Sequence, residues 1–265
     1  MELEINIIDA FTDRVFSGNQ AAVVVTKSWL PDDTMQSIAA ENNLSETAFL
    51  VEENPTTYGI RWFSPIGEIA FCGHATLASA FVLFNKFPEA EAFNFKAEAV
   101  GILPVTKGSD STLKMNFPNM APDPVTEIPR EIQEGLSIRP IELYRNKQAY
   151  FVIYHSEKDV LSVERKNEIL ERLKPYDVVV TCRSESPEYD FVSRYFWPAN
   201  GGDEDPVTGS IHTGLAPFWG SRLGKSELIA YQASKRGGVL RCHLDGDRVY
   251  ISGTAVQYLK GTITV

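Results

Sequence analysis

The sequence predicts an α+β protein of two similar halves, each a set of strands wrapped around one buried helix. Three observations carry this reading. The chain has 265 residues, enough for two domains with a core each. Strand-like stretches outnumber helical ones. In each half a turn with glycine stands just before the most apolar helical stretch: Phe71-Cys72-Gly73-His74-Ala75-Thr76 in the first, Pro206-Val207-Thr208-Gly209-Ser210 in the second.

In the first half, alternating or β-branched apolar residues bounded by turn formers predict strands at 4–9, 21–26, 47–52, 58–63, 93–97 and 112–117. A helix is expected from Pro31 to Asn42, with Met35, Ile38 and Ala39 on one face. A second, from about His74 to Asn85, is apolar almost all round and so should be buried on every side. A buried helix among many strands implies a sheet wrapped around it.

The second half repeats the plan. Strands are expected at 140–145, 149–155, 177–182, 189–197, 227–233, 239–244, 248–253 and 256–264. An exposed helix is expected at about 164–173, and a buried one from Thr208 to about Trp219. Gly214 and Pro217 should weaken or kink the latter. The proline-rich stretch from Phe117 to Pro124 reads as an extended linker. The domains are therefore expected at 1–118, with the C-terminal strand at about 255–265 as a candidate addition, and at 119–254.

Charge limits the partners. With 35 acidic against 25 basic residues the net charge is −10, which argues against nucleic acid or an anionic membrane as a ligand. Cys72, Cys182 and Cys242 are odd in number and far apart, without the spacing of a disulfide framework or a zinc site. No basic, then apolar, leader opens the chain, and no apolar run approaches the roughly 18 to 20 residues of a spanning helix. A cytoplasmic protein is expected.

The two glycine turns are candidate anion cradles. The first N–H groups of a helix lack intrahelical acceptors, the helix dipole adds positive charge, and glycine lets a ligand approach the backbone. The plainer reading is a pair of tight turns, with Ser210 as an N-cap. Neither turn has the pattern of a nucleotide loop. Asp203-Glu204-Asp205 reads as a solvated loop or a candidate site, and Cys72 as a small hydrophobe or a nucleophile. Glu46, between a helix and an apolar strand, is a surface acid or a general acid and base.

Together these segments resemble the phenazine-biosynthesis, PhzF-like isomerase family, similar in fold to diaminopimelate epimerase. The matching motifs are Val15-Phe16-Ser17-Gly18-Asn19-Gln20-Ala21-Ala22-Val23, Leu44-Ser45-Glu46-Thr47-Ala48-Phe49, Arg61-Trp62-Phe63-Ser64-Pro65, and Glu68 with Phe71 to Leu77. Asp203 to Ser210 and Gln232 to Gly238 extend the match along nearly the whole chain. The resemblance implies two domains, each a mixed sheet or barrel around a central helix, with the active site in a cleft. It implies isomerisation of a small carboxylate substrate without cofactor or metal. Glu46 would carry the proton and His74 and Asp205 would assist. Asn19, Ser45, Gly73, Gly209 and Ser210 would bind substrate, and a homodimer is the expected assembly. Cys72 stands where the epimerase has its first cysteine, but Pro206 stands near the place of the second. The alternatives are a Cys72-assisted racemase or epimerase of an amino or hydroxy acid, and a non-catalytic module that binds a small anion or a protein.

Overall fold

The computed structural model describes residues 1–108 and 110–265. The chain opens with β1 (Glu2–Ala10), β2 (Asn19–Thr26), α1 (Asp32–Asn42), β3 (Glu46–Asn54), β4 (Thr57–Ser64) and β5 (Gly67–Ile69). Then come α2 (Gly73–Lys86), β6 (Ala92–Ala97), β7 (Gly101–Lys107), β8 (Leu113–Pro118) and β9 (Asp123–Pro124). Next are α3 (Arg130–Gly135), β10 (Glu142–Arg145), β11 (Ala149–Ile153), α4 (Glu157–Ser162) and α5 (Asn167–Leu170). The rest is β12 (Asp177–Arg183), β13 (Phe191–Phe196), β14 (Glu204–Asp205), α6 (His212–Leu223), β15 (Glu227–Gln232), β16 (Gly238–Asp245), β17 (Arg248–Gly253) and β18 (Ala255–Thr264). Two compact units result: Met1–Asn116 with Ser252–Val265, and Phe117–Ile251.

In the first unit β1 lies antiparallel to both β18 and β2, β2 runs parallel to β3, and β3 is antiparallel to β4. β4 continues to β5 antiparallel and to β6 parallel, and β7 and β8 follow as antiparallel neighbours. α2 packs against β1, β2, β3, β6 and β18. All of its residues but Phe81, Asn85 and Lys86 are buried, as its all-round apolar pattern requires. On the other face of the sheet α1 buries only Met35, Ile38 and Ala39, against Ile5, Val24, Phe49 and Phe63.

The second unit follows a similar rule. β11 and β12 pair parallel, β12 and β13 antiparallel, and β13 runs parallel to β15, which pairs antiparallel with β16. Val178, Val180 and Cys182 of β12 face a core shared with α3, α4 and α5 through Ile132, Val160 and Leu170. On the alternate face Thr181 accepts a hydrogen bond from Trp219 Nε1 of α6 (3.0 Å). The helix expected over 164–173 shrinks to α5 and one 3-10 turn, Glu171–Leu173, with Leu170 and Leu173 buried.

The helix expected from Thr208 to Trp219 starts later and ends later, as α6, with Gly224 in the left-handed region as its C-cap. Pro217 sits inside it, yet α6 is continuous. The proline leaves the carbonyl of Thr213 without its i+4 donor, and the N–H of Met120 fills that place at 3.1 Å. Gly214 makes the approach possible: a Cβ there would stand 2.6 Å from Phe151 Cζ and 3.0 Å from the Met120 carbonyl oxygen. The two residues that should weaken the helix therefore serve its docking. Among the described residues no helix is long and apolar enough to cross a membrane.

Candidate active site

In the first unit the candidate residues converge where β2 and β3 begin and α2 begins. The parallel pairing of β2 with β3 sets Ala21 beside Glu46, so Asn19 and Glu46 open adjacent strands. Asn43, in the left-handed region, closes α1 and turns the chain toward Ser45 and Glu46. Ser45 Oγ donates to Asn19 Oδ1 (3.0 Å), and Asn19 Nδ2 faces His74 Nδ1 at 3.2 Å. Cys72 Sγ lies 3.4 Å from the same ring nitrogen. On the other side of the ring, Glu46 Oε2 is 3.0 Å from His74 Nε2. It lies off the hydrogen-bonding direction, so this buried oxygen has no hydrogen-bond partner among the described residues.

The ring's environment orders its protons. Because Ser45 donates to Oδ1, the Asn19 amide presents its N–H to Nδ1, which makes Nδ1 an acceptor and leaves a proton on Nε2 beside Glu46. Burial disfavours the imidazolium, but Cys72 and Glu46 outweigh it and hold His74 well above the usual imidazole range. Charging the ring at Nδ1 would require the Asn19 amide to turn over, so that its oxygen accepts from the new N–H. Burial, then the negative charge of Glu46, pushes the Cys72 thiol up to about 11. The thiol is therefore protonated near neutral pH, which is poor character for a nucleophile.

The first intrahelical hydrogen bond of α2 runs from Thr76 N–H to the Cys72 carbonyl. The N–H groups of Gly73 and His74 precede it and that of Ala75 turns to the Cys72 sulfur. Gly73 is the first residue of α2, so helical backbone conformation does not by itself demand glycine there. Glu46, Cys72 and His74 also bring one oxygen, one sulfur and one nitrogen within 4.8 Å of one another. A metal held by them would first have to displace the thiol proton.

In the second unit Asp205, Gly209 and Ser210 form a group of their own. Thr208 Oγ1 donates to Asp205 Oδ2. Gln232, at the end of β15, accepts from Thr208 N–H (2.9 Å) and donates to the Asp205 carbonyl (2.8 Å). Thr208 lies in the second glycine turn and Gln232 in a matched motif, but spacing alone does not join the two. Ser210 is not the N-cap, since the N-cap of α6 is Ile211 and no side chain caps it. The acidic run does not behave as one solvated loop. Asp203 pairs with Arg165 and Asn167, Glu204 with Arg194, and Asp205 with Thr208. Arg61 and Glu68 of the matched motifs form a two-pronged pair that also takes in Asp32, which ties β4 to β5 and α1.

A model of the phenazine biosynthesis-like protein family matches residues 8–261. The chain belongs to this phenazine biosynthesis-like, PhzC/PhzF family. A Pseudomonas aeruginosa protein described as an uncharacterized isomerase is 45% identical over 263 residues, covering 99% of both chains. The crystal structure of a PhzF-family protein from Enterococcus faecalis has a TM-score of 0.94 at 42% identity, with full coverage of both. A predicted epimerase from P. aeruginosa shares the fold, with a TM-score of 0.74 at 18% identity over 99% of both chains. The α+β, epimerase-like fold is thus that of this PhzF-family chain, and its whole-length relatives place it among the isomerases.

Proposed function

We propose that this isomerase shifts a proton within a small carboxylate-containing metabolite and that Glu46 carries the proton. The observation behind this reading is the Glu46 Oε2 atom: buried, without a hydrogen-bond partner, beside His74 and at the start of a helix whose first N–H groups have no intrahelical acceptor. A buried carboxylate oxygen that faces His74 without an aligned hydrogen bond costs free energy, and such costs are retained where a group must receive something. Removing a proton from carbon builds negative charge on the substrate. N–H groups already aimed at that charge, as those of Gly73 and His74 can be, stabilise it without reorganisation. Glu46 then returns the proton to another carbon, with His74 adjusting the charge beside it. Gly209 and Ser210 offer a second oxyanion cradle, and Asp205 a further carboxylate that Thr208 orients.

The racemase alternative asks Cys72 to remove a proton as a thiolate. A thiol pushed up to about 11 opposes that role, so the carboxylate mechanism leads. The test is incubation of a panel of small carboxylates in heavy water, with product detection beside deuterium uptake, because a proton carried across without exchange leaves no label. Glu46→Gln keeps shape and loses the proton site. A drop in turnover of about a hundredfold or more is expected, with ligand binding retained. Turnover within a few-fold of the parent would remove Glu46 from the mechanism.

A further inference from the structure

The Ser210 hydroxyl belongs to a chain of hydrogen bonds whose direction follows from its far end. Asp177 is buried, and its Oδ1 accepts from Asn200 Nδ2 at 2.8 Å. The Tyr195 hydroxyl gives its one proton to Asp177 Oδ2 at 2.6 Å. Its oxygen can then only accept, and Gln148 Nε2 donates to it at 3.0 Å. The second Nε2 proton of Gln148 goes to Ser210 Oγ at 2.9 Å. A flipped Gln148 amide would set its carbonyl oxygen against a phenol with no proton left to give. The main chain pins the same residue, since the N–H of Asp177 donates to the Gln148 carbonyl at 3.1 Å.

Ser210 Oγ therefore receives a hydrogen bond, and its own proton has no acceptor among the described residues. The N–H groups of Gly209, Ser210 and Ile211 stand ahead of α6, whose turn begins with the bond from His212 N–H to the Gly209 carbonyl. The Ser210 hydroxyl proton joins these N–H groups as a donor at the turn.

We propose that Gln148, Tyr195 and Asp177 are positioning residues that hold the Ser210 hydroxyl as a donor toward an anionic oxygen of the ligand. This rests on the reading of Gly209-Ser210 as an oxyanion cradle. The arrangement favours a carboxylate-like group, toward which the Ser210 hydroxyl and the N–H groups of the turn can donate together. Gln148 acts through Ser210 and need not touch the ligand itself.

The experiment is a titration with sulfate as the oxyanion probe, followed by the backbone amide resonances of Gly209 and Ser210. The parent should show saturable shifts at both. Gln148→Leu should weaken sulfate by about fivefold or more, and Gln148→Glu further still, because its carboxylate takes the serine proton and repels the anion. In a Ser210→Ala background Gln148→Leu should change affinity by less than about twofold, an interaction that a merely structural role would not produce. Tyr195→Phe supports the same cycle where Gln148→Leu folds poorly. An equal loss with and without the Ser210 hydroxyl overturns the proposal, as does parental affinity in both Gln148→Leu and Tyr195→Phe. Absence of sulfate-dependent shifts at Gly209 and Ser210 in the parent overturns the cradle itself and the proposal with it.

Discussion

Acid should destabilise the second unit through one side chain, His212. This residue opens α6, is 0% exposed, and has its Nδ1 at 2.8 Å from the Thr208 carbonyl oxygen. A carbonyl only accepts, so the proton sits on Nδ1 and Nε2 keeps a bare lone pair. That Nε2 is buried without a hydrogen-bond partner, and the ring lies beside Phe191 with centroids 5.9 Å apart. Protonation would place a charge in an apolar setting with nothing to receive the new N–H, and burial lowers the pKa to about 4 from 6.5. The folded value lies below the unfolded one. Stability is therefore fully present above about pH 6.5 and falls as pH drops toward 4, where the loss levels off. At ~1.4 kcal/mol for each pH unit the total is roughly 3 kcal/mol, most of which should be gone by pH 4.5. The assay is urea unfolding of the parent and His212→Asn between pH 7.5 and 4.5. Asparagine retains a donor toward Thr208 but does not titrate, so the difference between the two proteins isolates His212. A difference that changes by less than about 1 kcal/mol over that range, or that grows in the parent's favour on acidification, would refute the assignment of a neutral, unpaired ring.

Cys72→Ser should keep turnover within about tenfold of the parent, and Cys72 should alkylate slowly at pH 8, since the protonated thiol is the unreactive form; a hundredfold loss would revive the cysteine mechanism. Gly214→Ala should destabilise by roughly 1–3 kcal/mol in urea unfolding, because its new methyl meets Phe151 and the Met120 carbonyl; an unchanged midpoint would show that the strands give way at little cost. Gly73→Val should fold normally but weaken carboxylate binding by about tenfold or more, measured calorimetrically with the substrate found in the heavy-water screen; parental affinity would dismiss the cradle at α2.

Much of the architecture was legible because it rests on periodicity. The β-branched and alternating runs became strands, and the stretch apolar on every face became α2, the helix inside the first unit. β7 went unread because Pro104 interrupts its pattern, yet Pro104 pairs opposite Asn94 in an antiparallel ladder. α3 and α4 are about a turn and a half each, too short to hold by themselves, and depend on burying Ile132 and Val160.

The candidate site divides in the same way. The sequence by itself determined the residue types, Glu46 after Ser45, His74 after Gly73, Ser210 after Gly209, because each lies in a local motif whose chemistry can be read within a few residues. Only the tertiary structure decided what those residues do to one another. Asn19 orders His74 from 55 positions away, and Gln232 holds the Thr208 turn from 24, so that α6 starts at His212 rather than at Thr208. Gln148 reaches Ser210 from 62 positions off, and Met120 satisfies the carbonyl that Pro217 abandons. Hydrogen-bond direction, burial and proton position depend on neighbours that the chain brings together across strands, and no local pattern encodes which neighbours those are.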